Sequence, residues 1–181
     1  MRRVLTLTVL LGVIAGLVLY VQATEPSWYH RLRYPLAYDS IIRGHAENYR
    51  LEPALLAGVI YQESKFDPEA RSDAGAVGLM QVRPDTARGI AARTGGSQFQ
   101  VDDLTNPELN VRYGSWYLRH LLDKYDDERL ALAAFNAGQG NVNSWRRQGK
   151  GIAFAETRHY VDRVQELKQI YRDAYASELG Y

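Results

Sequence analysis

Apolar side chains recur at helical spacing along this chain, and no segment shows the alternation that is typical of a β-strand. The clearest example ends in an acid: apolar residues and Glu63 fall at i, i+3, i+4 and i+7, namely Leu56, Val59, Ile60 and Glu63. This spacing places all four side chains on one face of a helix, the face expected to turn toward a core. With no internal repeat visible, the chain is predicted to form one mainly α-helical domain.

Glu63 is the candidate catalytic residue because it ends an apolar helix face. A carboxyl group in such a place loses water, and desolvation raises its pKa by disfavouring the charged form. A carboxyl that stays protonated near neutral pH can act as a general acid. The alternative is that Glu63 is a surface residue at a fraying helix end.

Composition excludes several function classes. The 181 residues carry a net charge of +1, so no strong global field points to a nucleic-acid partner, and none is predicted. The absence of cysteine excludes disulfides, thiolate catalysis and Cys-type zinc sites. The four histidines are scattered without metal-ligand spacing, so we expect neither a metal nor a cofactor.

The N-terminus carries a targeting signal. Arg2 and Arg3 precede an uncharged, largely apolar run over residues 4–21, a pattern typical of export or membrane anchoring. The run is short for a bilayer span and long for a signal-peptide core, and residues 21–23 offer a cleavage site. We favour an uncleaved signal anchor over a cleaved signal peptide. Either outcome places the domain outside the cytoplasm.

Four segments follow from these patterns. Residues 1–23 form the signal anchor or signal peptide, residues 24–37 a linker with interfacial aromatics, residues 38–176 the folded domain and residues 177–181 a tail. Helix signals in the domain include prolines at first turns and glycines after last turns. They predict helices at about 38–49, 53–64, 84–94, 106–125, 127–135, 142–147 and 154–175.

Three further motifs carry polar groups suited to a ligand. A loop reading Gly78-Leu79-Met80-Gln81 follows Glu63, and its Gln81 amide suits sugar acetamido and hydroxyl groups. Asn136 could bind a ligand or simply end its helix, and Tyr160 could point into a cleft or into the core. The alternative for the loop is a glycine-rich turn with a capping glutamine.

Together, these motifs resemble the soluble lytic transglycosylase family of peptidoglycan-cleaving enzymes, which share the goose-type lysozyme fold. The resemblance covers about residues 38–175 and rests on motifs in the family's order: Glu63-Ser64, Gly78-Leu79-Met80-Gln81, Ala134-Phe135-Asn136-Ala137-Gly138 and Glu156-Thr157-Arg158-His159-Tyr160-Val161. The middle of the chain is also similar to the family's central helix, at Asn110, Gly114, Tyr117 and Leu118. The fold implied is an all-α lysozyme-like domain, preceded here by the transmembrane or signal segment.

The resemblance implies a reaction on the bacterial cell wall. The substrate would be the β-1,4 bond between N-acetylmuramic acid and N-acetylglucosamine in peptidoglycan strands. Glu63 would protonate the glycosidic oxygen and then, as a base, accept the proton of the sugar's own C6 hydroxyl, with help from the muramic acetamido group. The product would be a 1,6-anhydromuramyl end, formed without water. The protein would act in the cell envelope, anchored to the inner membrane, with other cell-wall or secretion partners unknown.

The residues agree with a mechanism that uses one carboxylate. Most glycosidases use two acids, but the aspartates Asp67, Asp73, Asp102 and Asp103 lie in turn-like or polar contexts and are expected to be solvated. Beside the catalytic Glu63, the resemblance implies a substrate-binding set, comprising Ser72, Gly78, Met80, Gln81, Phe135, Asn136 and Tyr160. Ser72 would lie near the catalytic carboxylate, Met80 and Gln81 would line the cleft, and Tyr160 would face Glu63 or the reacting sugar.

Two positions depart from the family pattern. Phe135 stands where the family usually has tyrosine, and Arg83 stands where an apolar residue is common. We expect Arg83 to cover a surface rather than bind the peptide stem. Two other functions remain open. One is a hydrolytic, lysozyme-type muramidase, which would need a positioned base that the sequence does not obviously offer. The other is a non-catalytic glycan-binding or scaffold module, which the missing tyrosine hydroxyl at Phe135 keeps possible.

Overall fold

The computed structural model describes residues 10–17, 19–21, 23–96 and 98–181, which form helices joined by loops. Within these ranges no strand is present, only two isolated bridges, Arg71 to Val77 and Val77 to Val82, in the loop after Glu63. The chain divides into two compact units, Met1–Pro35 and Leu36–Tyr181. The prediction of a mainly α protein is confirmed.

The first unit holds two helices, α1 (Arg2–Thr24) and α2 (Ser27–Arg33). The predicted signal segment lies partly outside the described residues, which leave out 1–9, 18 and 22. Among the residues that are described, no helix combines the length and the apolar character needed to cross a membrane. The predicted linker is not wholly irregular, because α2 lies within it.

The second unit contains the remaining helices, and most begin and end where the sequence signals predict. Proline occupies the first turn of three of them, where its missing N–H costs no hydrogen bond. The elements are α3 (Asp39–Tyr49), α4 (Pro53–Ser64), α5 (Pro84–Thr94), a 3₁₀ helix (Val101–Thr105), α6 (Pro107–Tyr125), α7 (Glu128–Ala137), α8 (Gln139–Arg147), α9 (Ala155–Ala174) and α10 (Ala176–Leu179). The predicted start of α8 near residue 142 was wrong by three residues, because Gly138 ends α7 and α8 follows it directly.

Helix α4 is the centre of the second unit, and every residue from 54 to 60 is buried. It packs antiparallel against α9, and Gly58 permits the close approach. A Cβ at Gly58 would lie 3.1 Å from the backbone nitrogen of Lys168 and 3.2 Å from the carbonyl oxygen of Val164. Because a helix buried all round cannot rotate without exposing apolar surface, this packing fixes the direction in which Glu63 points.

A cluster of charges holds the opposite end of α4. Lys168 of α9 lies 2.8 Å from Glu52 and 2.9 Å from Glu128, and Arg172 also contacts Glu52. Burial opposes ionisation of Glu52, but the hydrogen bonds from Lys168 and Arg172 hold its pKa below the usual value. The α4 backbone at Ala54 donates to the hydroxyl of Tyr181 at 3.2 Å. The predicted tail, residues 177–181, is therefore packed against this domain.

Candidate active site

Glu63 and Tyr160 meet although 97 residues separate them in sequence. Glu63 lies in the last turn of α4, and Tyr160 lies in the first half of α9. The hydroxyl of Tyr160 donates a hydrogen bond of 2.6 Å to Oε1 of Glu63. Tyr160 is 5% exposed and Glu63 is half-buried, so the carboxyl sits at the edge of the core.

Burial raises the pKa of Glu63 from the ordinary 4.5 to about 7, and the hydrogen bond from Tyr160 offsets part of that rise. Burial also raises the pKa of Tyr160 well above 10, with the neighbouring Glu63 acting in the same direction. Tyr160 therefore remains a hydrogen-bond donor at any physiological pH. Glu63, in contrast, can hold or release a proton near neutrality, which is the property of a general acid that later serves as a base.

The loop that follows Glu63 is tied back to α4. The hydroxyl of Ser64 donates to the carbonyl oxygen of Leu79 at 2.8 Å, and also reaches the carbonyl of Ile60 at 3.2 Å. Ser64 thus supports the local backbone. The loop glycine Gly78 has a φ of +79°, a conformation that side chains other than that of glycine rarely adopt.

The side chain of Asn110, on α6, holds this loop by hydrogen bonds to its backbone. Its fully buried side-chain amide donates to the carbonyls of Val77 (2.8 Å) and Leu104 (2.7 Å) and accepts from the backbone N–H of Met80 (2.8 Å). A Cβ at Gly78 would come within 2.2 Å of the amide nitrogen of Asn110. A glycine is therefore required at position 78 so that the Asn110 side chain can approach the loop. The predicted contact of Gly78 with substrate stays a prediction.

Met80 supports the loop from inside the core. Its side chain is fully buried, and a Cβ on Gly114 would lie 2.3 Å from its sulfur. Gly114 thus provides the space that Met80 occupies. The Met80 side chain has no exposed surface and does not line the cleft described below. Its predicted role in binding substrate stays a prediction.

Gln81 lies at the surface of the same loop and lines a cleft of about 290 Å³. Its side-chain nitrogen donates to the carbonyls of Ala70 and Gly78, each at 3.0 Å. These two hydrogen bonds hold the Gln81 amide in place, and the residue is half-buried. Arg83 lies at the same cleft and is exposed.

The opposite wall of this cleft comes from α6 and the end of α7. Phe135 faces Tyr117, with ring centroids 5.7 Å apart, and Asn136 lies beside them. The hydroxyl of Thr157, which is 2% exposed, donates to Oδ1 of Asn136 at 2.9 Å. Because Thr157 lies one turn before Tyr160 on α9, the cleft wall and the Glu63–Tyr160 pair are fixed to the same helix.

Ser72, which the resemblance places near the catalytic carboxylate, lies in a surface turn. It is exposed, and its hydroxyl accepts a hydrogen bond of 3.0 Å from the backbone N–H of Ala76 within its own turn. Within the described ranges, no hydrogen bond joins Ser72 to Glu63. Its contact with substrate stays a prediction.

The structure also locates the four aspartates considered as a second acid. All are exposed, at Asp67, Asp73, Asp102 and Asp103. Two of them stabilise turns: Asp67 accepts from the backbone N–H of Glu69, and Asp103 accepts from that of Gln100. Of these four aspartates and Glu63, only Glu63 has a desolvated carboxyl group.

Comparison with known proteins points to one family. A sequence model described as the Transglycosylase SLT domain matches residues 40–157. The soluble lytic murein transglycosylase of Salmonella typhimurium is 32% identical over 85% of this chain and 26% of its own length. The membrane-bound lytic murein transglycosylase C of Actinobacillus pleuropneumoniae is 41% identical over 72% of this chain and 36% of its own length.

Solved structures agree. An inactive mutant of the lytic transglycosylase Slt from Pseudomonas aeruginosa superposes with a TM-score of 0.74 at 32% identity, covering 81% of this chain and 26% of that one. The chain thus spans about a quarter to a third of the length of these relatives.

Proposed function

Because the chain belongs to the Transglycosylase SLT domain family, we propose that it is a lytic transglycosylase that cleaves the glycan strands of peptidoglycan. The bond would be the β-1,4 linkage between N-acetylmuramic acid and N-acetylglucosamine. The observation that carries the proposal is the desolvated carboxyl of Glu63, held by Tyr160 at the edge of the core. The relatives' names, which describe lytic murein transglycosylases, support the substrate class.

In the first step, neutral Glu63 donates its proton to the glycosidic oxygen as the bond to the anomeric carbon breaks. The raised pKa of Glu63 keeps that proton available near pH 7. The sugar develops oxocarbenium-like charge, which the substrate's own acetamido group stabilises. The hydroxyl of Tyr160 stabilises the carboxylate that forms, because its hydrogen bond favours the charged state of Glu63.

In the second step, the Glu63 carboxylate accepts the proton of the C6 hydroxyl of the same muramic acid. The C6 oxygen bonds to the anomeric carbon, which closes a 1,6-anhydro ring and returns Glu63 to its protonated form. No water is consumed. Because one group gives and then accepts the proton, the mechanism needs no second carboxylate, in agreement with the exposure of the four aspartates considered as a second acid.

We further propose that residues 1–23 take this domain to the extracytoplasmic face of the bacterial inner membrane. Support comes from the two arginines before an uncharged run. The large apolar side chains described in α1, such as Leu11 and Leu19, are also 64% and 65% exposed. Membrane-bound members occur among the relatives, including the transglycosylase of Actinobacillus pleuropneumoniae.

Mass spectrometry of the products tests the proposed reaction. Purified peptidoglycan is treated with residues 24–181, with the Glu63→Gln variant as the control. Muropeptides with anhydro ends, lighter by one water than reducing ends, are the expected products. Reducing ends would instead identify a hydrolytic muramidase. Glycan retained on the protein without any product would indicate a non-catalytic binding module.

The pH dependence of cleavage follows from the pKa of Glu63. Since the acid must be protonated, we expect the rate to be lost as the pH rises through about 7. In Tyr160→Phe the alkaline limb should move to higher pH, because the lost hydrogen bond had favoured the carboxylate. Initial rates of muropeptide release across the pH range measure the alkaline limb in the unaltered chain and in Tyr160→Phe. An alkaline limb that stays in place, or moves to lower pH, would contradict the assigned role of Tyr160.

Phe135→Tyr tests whether the residue at this position limits the reaction. We expect activity to stay equal or to rise by up to about tenfold, since one neutral hydrogen bond contributes roughly 0.5–1.5 kcal/mol. Phe135→Leu is the matched control, because it removes the ring that faces Tyr117. Initial rates on peptidoglycan provide the measurement. A large loss in Phe135→Tyr would show that the cleft is packed around the phenylalanine ring.

A further inference from the structure

A second groove continues from the candidate cleft. It has a volume of about 230 Å³ and lies between α5 and α6. Thr86 and Tyr117 line both the cleft and this groove. A strand bound beside Phe135 would therefore meet the second groove as the next surface along its path. We call it the aromatic groove and define it by Thr86, Trp116, Tyr117 and His120.

The aromatic groove contains a preformed ring pair. Trp116 and His120 are one turn apart on α6, with ring planes at 9° and centroids 5.5 Å apart. Tyr117 adds a third ring beside them. Large aromatic side chains present apolar surface together with polar N–H or O–H groups, which is the combination that a sugar ring, with apolar C–H faces and hydroxyl edges, requires.

The charges beside the rings are balanced and already engaged. Asp85 accepts a hydrogen bond of 2.8 Å from Arg88, and the guanidinium of Arg93 donates to the carbonyl of Gly89 at 2.9 Å. The groove therefore presents no excess of cationic groups for the carboxylates of a peptide stem. Its aromatic and neutral polar lining fits an uncharged saccharide better.

We propose that the aromatic groove binds a further sugar unit of the glycan strand, beyond the units held at Glu63, with Trp116 as the main contact. The proposal rests on the proposed function, because it extends the site of that reaction. It follows that long strands should gain affinity from Trp116, whereas oligomers too short to reach the groove should not.

Binding without cleavage tests this directly. Residues 24–181 carrying Glu63→Gln are titrated calorimetrically with peptide-free glycan oligomers from disaccharide to octasaccharide. Adding Trp116→Ala should weaken binding of the longest oligomers by about tenfold and leave the shortest unchanged. Trp116→Phe should retain most of the affinity. Since His120 is exposed, His120→Ala provides a second variant that leaves the core intact.

Trp28→Ala is the matched control, because Trp28 is an exposed tryptophan (54%) of the first compact unit, whereas the cleft and the aromatic groove are lined by residues of the second, and this variant should bind every oligomer normally. A loss in Trp116→Ala that is equal at all lengths, or absent at all lengths, would overturn the proposal. Muramyl peptides are titrated in the same way, and a loss confined to them would also overturn the proposal, because it would assign the groove to the peptide stem.

Cleavage by the unaltered chain is measured in parallel. Length-dependent binding through Trp116 without any cleavage would refute the transglycosylase assignment and leave the groove assignment standing. Cleavage without a length-dependent effect of Trp116 would refute the groove assignment and leave the transglycosylase assignment standing.

Discussion

Glu63→Gln should abolish detectable cleavage, with a loss at the upper end of the roughly 10²–10⁴-fold range typical of general acid–base catalysis, because the same group acts as acid and then as base. The amide keeps the shape of a neutral carboxyl but has no acidic proton to give. The release of muropeptides from purified peptidoglycan provides the measurement. Glu47→Gln, at an exposed position on α3, is the matched control and should cleave normally.

The same substitution should not unfold the protein, and its effect on stability should depend on pH. The folded-state pKa of Glu63 is raised, so the folded chain binds the proton more tightly than the unfolded chain does. Ionisation of the buried Glu63 carboxyl lowers the free energy of unfolding. This loss of stability is absent below about pH 4.5, grows as the pH rises, and is complete above about 7. The loss reaches at most about 3 kcal/mol.

Denaturant unfolding at acidic and at mildly alkaline pH measures this difference. Glu63→Gln should gain stability over the unaltered chain at the higher pH, because glutamine has no charge to bury, and should match it at the lower pH. Full cleavage activity in Glu63→Gln would remove Glu63 from the mechanism. Equal stability of the two chains at both pH values would show that the carboxyl is not desolvated.

The helices could be predicted from the sequence because local signals determine them. The apolar spacing before Glu63 and the proline at the first turn define α4, and the same kind of signals define α5 and α6. The 3₁₀ helix and α10 were missed because both are too short for periodicity. They depend instead on tertiary packing, which buries Leu104 completely and leaves Leu179 only 1% exposed.

The chemistry of the site could be predicted only in part. The apolar face indicated a desolvated Glu63, and the family resemblance supplied Tyr160 as its neighbour. The pairing itself depends on the close packing of α4 and α9 at Gly58, which no local pattern reveals. Likewise, Met80 is buried because Gly114 on another helix leaves it space. The position of Asn110 next to apolar residues of α6 was a usable signal, since a buried amide needs partners.

Asn110→Ala is expected to have the largest effect on stability. Three hydrogen bonds are lost. The N–H of Met80 and the carbonyl of Leu104 are left buried without this partner, whereas the carbonyl of Val77 still accepts from the N–H of Val82 at 3.0 Å. At about 1–3 kcal/mol for each unsatisfied group, we expect a loss of about 3–5 kcal/mol in the free energy of unfolding. For a domain of this size, the thermal midpoint should fall by roughly 10 °C.

Asn106→Ala is the matched control on the same helix. Asn106 is exposed and caps α6 through one hydrogen bond of 3.1 Å to the N–H of Leu109, so its loss should cost only about 1 kcal/mol. Thermal unfolding of both variants, followed by circular dichroism, gives the comparison. Equal destabilisation by the two substitutions would show that the amide of Asn110 does not hold the loop.

Activity should separate the two variants further. Asn110 holds the backbone of Met80, the residue before Gln81, so its loss should displace the cleft wall at Gln81 even in molecules that remain folded. At a temperature where both variants are folded, we expect Asn110→Ala to lose cleavage and Asn106→Ala to retain it. Asn110→Asp should not rescue, because a carboxylate would face the carbonyl oxygens of Val77 and Leu104. The site therefore depends on a buried amide that donates to two carbonyls and accepts from one N–H.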